Sequence, residues 1–257
     1  MNKKSLEALL AWCVHLFTAL GLVLAGGMAV LIVRGDESSF RWAFVLMLAA
    51  TIVDAIDGTL ARWAKVKEVL PGFDGRRLDD IIDFQTYTSL PLLLIWRAEI
   101  LPCGWSWLLV VPLVASAYGF CQGQAKTNDG YFLGFPSYWN LVAFYLFVLR
   151  PPAWGSFAII LLLSVLTFVP SRYLYPSQAG TLNRVTNVLG VVWLPLPIWI
   201  LFRLSAANPV PGETTGEPVR WLALVSLFFP LYYLIASWFV TVRLVLRGKD
   251  QIEDSKN

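Results

Sequence analysis

The stretch from residue 54 to residue 83 reads DAIDGTLARWAKVKEVLPGFDGRRLDDIID and lies between two long apolar runs. Four of its carboxylates, those of Asp54, Asp57, Asp79 and Asp83, fall at the ends of those runs. Acidic side chains are uncommon in such surroundings because an apolar environment does not solvate their charge. The concentration of acids at this place therefore indicates a functional site.

The composition around this stretch is that of a membrane protein. Of 257 residues, 57% are hydrophobic, only 14% are charged, and twelve are Trp, which lies outside the range of soluble proteins. About 20 apolar residues span a bilayer as a helix. We predict an all-α, polytopic integral membrane protein, one domain over residues 1–257, with about eight transmembrane helices at 10–33, 42–62, 80–96, 104–124, 138–150, 153–171, 185–204 and 221–243.

The distribution of Lys and Arg predicts the orientation. Lys3 and Lys4 precede a first apolar run that is longer than the core of a signal peptide, so we expect a retained helix. Eight spans place both termini on one side. With cytoplasmic termini, most cationic residues lie inside, as the positive-inside rule requires, and those outside are Arg34, Arg41, Arg97, Arg150, Arg203 and Arg220.

Helix geometry places the acids below the membrane surface. At 1.5 Å per residue, Asp54 lies about 18 Å from Trp42 and Asp83 about 20 Å from Trp96, both within a core of about 30 Å. Asp54 and Asp57 are three residues apart and Asp79 and Asp83 are four apart, so each pair shares a helix face. If the faces meet, their oxygens suit Mg²⁺ or Mn²⁺.

Small residues and one Arg accompany the acids. Gly58, Ala61 and Gly75 leave room for a bulky ligand, and Arg62 can grip a phosphate with two hydrogen bonds. The alternative is that the small residues only let helices pack closely and that Arg62 only extends to the interface. The joint spacing of these residues with the acids favours a ligand site.

This pattern resembles the signature of the CDP-alcohol phosphotransferases, D-x2-D-G-x2-A-R-x8-G-x3-D-x3-D. One departure is that twelve residues, 63–74, separate Arg62 from Gly75 where eight are usual. A loop absorbs four extra residues at little entropic cost. The resemblance rests on Asp54, Asp57, Gly58, Ala61, Arg62, Gly75, Asp79 and Asp83.

The resemblance implies a divalent-metal enzyme of the bacterial inner membrane whose active site faces the cytoplasm. Asp54, Asp57 and Asp79 would bind Mn²⁺ or Mg²⁺, and Asp83 would complete the metal site or act as general base. Attack on the phosphorus of CDP-diacylglycerol would expel CMP. The residues implied in holding CDP-diacylglycerol are Gly58, Ala61, Arg62, Gly75, Thr18, Lys126 and Arg172. Similar enzymes are homodimers, so a homodimer is expected.

The sequence also bears on which alcohol would accept the phosphatidyl group. The eight-span layout resembles the branch of the family that makes phosphatidylserine and phosphatidylcholine, and the longer loop with GFPSYWN (134–140) favours choline. A quaternary ammonium is held by aromatic faces. Tyr87 continues the face of Asp79 and Asp83 and is the leading candidate for a choline contact, followed by Tyr118 and Trp139.

Alternatives remain open at this stage. The acceptor could instead be serine, glycerol phosphate or inositol phosphate. A divalent-metal or proton transporter would also submerge acids, but it has no need of Gly58, Ala61, Arg62 and Gly75 at fixed offsets. A purely structural protein leaves the buried charge unexplained. The net charge of +3 reflects topology rather than nucleic-acid binding, and Cys13, Cys103 and Cys121 lack zinc or disulfide spacing.

Overall fold

The computed structural model describes residues 2–123, 131–175, 180–206 and 217–254. It divides into two compact units, the first formed by residues 1–103 and 138–147 and the second by residues 104–137 and 148–257. Helices dominate both units.

The first unit contains the long helices α1 (Lys3–Arg34) and α2 (Glu37–Trp63), which pack along one another. A single turn, α3 (Val66–Val69), lies between α2 and α4 (Gly75–Asp83). The chain then continues without a break through a π-helix (Phe84–Ser89) into α5 (Leu90–Arg97). Most of α7 (Trp139–Leu149) belongs to this unit as well.

The second unit begins with a 3₁₀ turn (Ser106–Leu109) that leads into α6 (Val110–Cys121). Two short strands, β1 (Tyr131–Leu133) and β2 (Arg172–Leu174), pair antiparallel with Tyr131 opposite Leu174. The other elements of this unit are α8 (Ala153–Phe168), α9 (Thr181–Trp193), α10 (Pro195–Ala206), α11 (Glu217–Ser226) and α12 (Phe228–Asp254).

Each of the eight predicted segments is helical over most of its length. Within the described residues, four helical stretches are long and apolar enough to cross a bilayer: Lys3–Arg34, Glu37–Trp63, Thr181–Leu204 and Glu217–Leu246. Shorter apolar helices cover Ser106–Cys121, Trp139–Leu149 and Ala153–Phe168. Many large apolar side chains on these helices are exposed, such as Val23 at 70% and Ile235 at 69%, as lipid-facing surfaces require. The prediction of an all-helical, polytopic membrane protein is confirmed.

The turn between α1 and α2 shows why the chain reverses at residues 35 and 36. Gly35 adopts a left-handed conformation with φ of 74°, which glycine reaches without strain, and its N–H bonds the carbonyl of Leu31. Asp36 then caps α2, because its carboxylate accepts hydrogen bonds from the backbone N–H of Ser39 at 2.9 Å and from its hydroxyl at 2.5 Å. This turn lets α2 run back along α1.

Two features were not expected from the sequence. The predicted third segment starts at residue 80, but α4 already starts at Gly75, because Asp74 caps it by accepting a hydrogen bond from Arg77 N–H at 3.2 Å. The same segment contains the π-helix, which widens the turn that follows Asp83. The cap and the widened turn thus mark the two ends of α4, which carries Asp79 and Asp83.

Candidate active site

Three of the predicted carboxylates meet. Asp54 and Asp57 on α2 and Asp79 on α4 each offer one oxygen, and the three oxygens lie within 4.8 Å of one another. Asp57 is buried, and the other two are half-buried. The carboxylates of Asp54 and Asp57 therefore lie on one face of α2, and that face lies beside Asp79 of α4.

Asp83 lies one turn beyond Asp79 but outside that close group of three oxygens. Its Oδ1 atom is buried and has no hydrogen-bond partner among the described residues. The negative charges of Asp54, Asp79 and Asp57 all act on it. A carboxylate oxygen held in this way beside other acids is available to an incoming cation or proton.

The donor set fits a divalent cation. Closely spaced carboxylate oxygens are the ligands that Mg²⁺ and Mn²⁺ prefer, whereas softer metals favour His or Cys. The unpartnered oxygen of Asp83 adds a further acceptor beside the cluster. The residues that would hold the ion are Asp54, Asp57 and Asp79.

Thr18 supports the cluster from α1. Its side chain is buried, and it lies close enough to the carboxylate of Asp57 to favour its charged form. The structure therefore places Thr18 against a predicted metal ligand. It does so because α1 packs along α2 and also contacts α4.

The space above Gly58 is open. A methyl group added at Gly58 would meet only one described side chain within 4 Å, that of Arg62, whose Nη1 would lie 3.5 Å away. Arg62 is exposed, and its Nη2 donates to the hydroxyl of Thr59 at 3.1 Å. Ala61, half-buried, packs instead against the apolar cluster around Ala11, Val14 and Val66. Close helix packing thus accounts for Ala61 but not for Gly58.

Gly75 is in a different situation. A methyl group there would lie 2.5 Å from Cε1 of His15 on α1. The His15 ring in turn lies 4.4 Å from the ring of Phe73 and 5.8 Å from that of Trp12, centroid to centroid. This aromatic group fixes the loop before α4 against α1.

Tyr87 lies in the π-helix with its hydroxyl directed at the cluster. It donates a hydrogen bond of 2.7 Å to Oδ2 of Asp54. Its ring centroid is 6.5 Å from that of Tyr138. The sequence placed Tyr87 on the face of Asp79 and Asp83, but the bond to Asp54 on another helix had no sequence pattern that could reveal it.

Of the other predicted site residues, Trp139 belongs to the first unit, and Tyr118 and Arg172 belong to the second. Trp139 is fully buried in the first unit. Tyr118 is 48% exposed in the second unit, with its ring 5.2 Å from that of Phe168. Arg172 begins β2, where its backbone N–H bonds the hydroxyl of Thr241 at 2.7 Å. Lys126 lies outside the described residues.

Comparison with known proteins agrees with the site. The family model for CDP-alcohol phosphatidyltransferases matches residues 13–170, which include the whole acidic cluster. The chain therefore belongs to the CDP-alcohol phosphatidyltransferase family, and it is a phosphatidyltransferase with membrane-spanning helices.

Curated relatives cover most of the chain. A phosphatidylcholine synthase of Borreliella burgdorferi is 32% identical over 241 residues, or 93% of this chain and 98% of that protein. A phosphatidylcholine synthase of Legionella bozemanae is 38% identical over 79% of this chain and 96% of its own length. One from Pseudomonas aeruginosa is 39% identical over 72% of this chain and 76% of its own length.

Proposed function

We propose that this protein transfers the phosphatidyl group of CDP-diacylglycerol to choline, forming phosphatidylcholine and releasing CMP. The observation that carries the proposal is the meeting of Asp54, Asp57 and Asp79 beside the unpartnered oxygen of Asp83. Membership of the family supports the donor and the leaving group. The names of three relatives from different bacteria support choline as acceptor.

In the proposed reaction, the choline hydroxyl oxygen forms a bond to the phosphatidyl phosphorus of the donor. The bond between that phosphorus and the bridging oxygen breaks, and CMP leaves with the bridging oxygen and its electron pair. Asp83 accepts the proton of the choline hydroxyl, since one of its oxygens has no other hydrogen-bond partner among the described residues. Arg62 and the open surface over Gly58 receive the donor's diphosphate.

The cofactor would be Mn²⁺ or Mg²⁺, held by Asp54, Asp57 and Asp79. When bound, such an ion neutralises the charge of the diphosphate and stabilises charge on the leaving oxygen. Thr18 keeps the Asp57 carboxylate in place for this role. Gly75 and Ala61 are proposed to line the CDP-diacylglycerol site. Lys126 and Arg172 are further proposed contacts of CDP-diacylglycerol. Tyr118 and Trp139 remain proposed contacts for choline.

We also propose a membrane location, a topology and an oligomeric state for the enzyme. A bacterial inner membrane, with both termini and the active site on the cytoplasmic side, is supported by the Lys and Arg distribution and by the bacterial relatives. Residues 1–257 would work as one catalytic domain, and the enzyme would act as a homodimer. The donor's diphosphate would reach the submerged carboxylates while its acyl chains stay in the bilayer.

The decisive experiment offers purified full-length protein CDP-diacylglycerol, Mn²⁺ and one labelled acceptor at a time: choline, serine or glycerol 3-phosphate. We expect lipid labelling from choline alone, lost in Asp83→Asn and retained in Asp80→Asn, which removes a neighbouring carboxylate of α4 outside the signature. Labelling from another acceptor would refute choline but keep the chemistry. Failure to release CMP with any acceptor would refute the transferase activity and favour the alternative of a transporter.

A further inference from the structure

We infer that Tyr87 is a positioning residue for Asp54. The inference rests on the proposed metal-binding role of Asp54. It goes beyond that role because it gives the site an outer layer of support from the π-helix.

The bond from Tyr87 to Asp54 is short and charge-assisted. At 2.7 Å from the phenol oxygen to Oδ2, it has the length expected of an O–H donor on a carboxylate. A carboxylate that rotates freely can present either oxygen to an ion. With Oδ2 engaged by Tyr87, the Asp54 carboxylate is held in one orientation beside Asp57 and Asp79. Residues that orient a ligand in this way commonly change metal affinity by about 10- to 100-fold.

The π-helix gives Tyr87 its direction. Asp83 ends α4, and the π-helix begins at the next residue and runs to Ser89. A π turn contains more residues than an α turn and so rotates the side chains that follow it. Tyr87 lies in the middle of this turn and reaches across to α2. The widened turn thus separates the face that carries Asp79 from the side chain that supports Asp54.

The test measures Mn²⁺ binding to the full-length protein without substrate, using the electron paramagnetic resonance signal of free Mn²⁺. Tyr87→Phe keeps the ring and removes the hydroxyl, and we expect its Mn²⁺ dissociation constant to rise about tenfold. The matched control is Thr86→Val, which removes a buried hydroxyl of the same π-helix. Among the described residues that hydroxyl bonds the carbonyl of Ile82 and does not contact Asp54.

Each outcome decides the inference. Unchanged Mn²⁺ affinity in Tyr87→Phe overturns it, as does an equal loss in Thr86→Val, which would indicate general damage to the π-helix. A raised choline KM with unchanged Mn²⁺ affinity would overturn it in favour of a direct choline contact by Tyr87. Loss of Mn²⁺ affinity in a protein that transfers nothing to choline would keep the positioning role and refute only the proposed acceptor.

Discussion

Gly75, the first residue of α4, packs against the imidazole of His15 on α1. A methyl group at position 75 would lie 2.5 Å from Cε1 of His15, closer than real carbon contacts allow. The ring cannot easily retreat, because His15 is buried and the rings of Phe73 and Trp12 lie beside it. The start of α4, and with it Asp79, is therefore located by contact with α1.

Gly75→Ala is expected to lower both thermal stability and transferase activity, because the added methyl group forces α4 away from α1. Overpacking of this kind costs about 1 to 3 kcal/mol. His15→Ala in the same chain removes the obstructing ring and should restore part of the loss. Thermal unfolding and activity of the two single variants and the double variant measure this. Additive losses in the double variant would contradict the proposed contact.

Gly21→Ala should act on stability in a similar way, although no sequence motif includes Gly21. A methyl group there would overlap Cγ2 of Ile82 on α4. We expect the unfolding free energy to fall by about 1 to 3 kcal/mol. Gly26→Ala is the control, since no atom of the described residues lies within 4 Å of the added methyl group and the helix gains propensity. A midpoint for Gly21→Ala as high as that of Gly26→Ala would show that α1 and α4 do not approach here.

Gly58→Ala should separate stability from activity. The added methyl group meets only Arg62 at ordinary contact distance, so replacing glycine inside α2 should leave the unfolding midpoint unchanged or raise it, by up to about 1 kcal/mol in free energy. If the donor lies over this surface, the KM for CDP-diacylglycerol should rise severalfold. The measurements are thermal unfolding and kinetics with varied donor. Unchanged donor kinetics would remove Gly58 from the binding surface.

Asp36, which lies outside the candidate site, should contribute to stability in a pH-dependent way. Hydrogen bonds from the hydroxyl and the backbone N–H of Ser39 hold the pKa of the Asp36 carboxyl below its ordinary value. A lowered folded-state pKa stabilises the protein above the unfolded pKa, and the contribution is lost as pH falls through the folded value. Asp36→Asn, which keeps a capping side chain without charge, should melt below the wild type at pH 7 and converge with it in acid. A difference that persists unchanged below pH 3 would contradict this origin.

Much of the site could be read from sequence because its residues are close in the chain. Helical periodicity places Asp54 near Asp57 without knowledge of other helices. The apolar runs predicted the membrane-spanning helices for the same reason, since length and hydropathy are properties of a segment alone. Spacing alone left open whether these acids meet Asp79, and in the structure one oxygen of each lies within 4.8 Å of the others.

Contacts between distant segments could not be predicted from the sequence. The bond between Tyr87 and Asp54 joins residues 33 apart, and that between Asn140 and Thr51 joins residues 89 apart. The π-helix was also missed, because a widened turn leaves no periodic pattern over six residues. Gly58 and Gly75 looked alike in the signature, yet one faces open space and the other a buried ring.

By itself, the sequence determined that this chain is a helical membrane protein with an acidic, oxygen-rich site between its second and third apolar runs. Those features follow from local spacing and from the cost of placing charge in an apolar medium. The tertiary structure alone decided which oxygen of Asp54 is engaged, which glycine is left open and how α4 is held against α1. Such choices depend on close contacts between helices, and side-chain direction at those contacts is set by packing rather than by residue type.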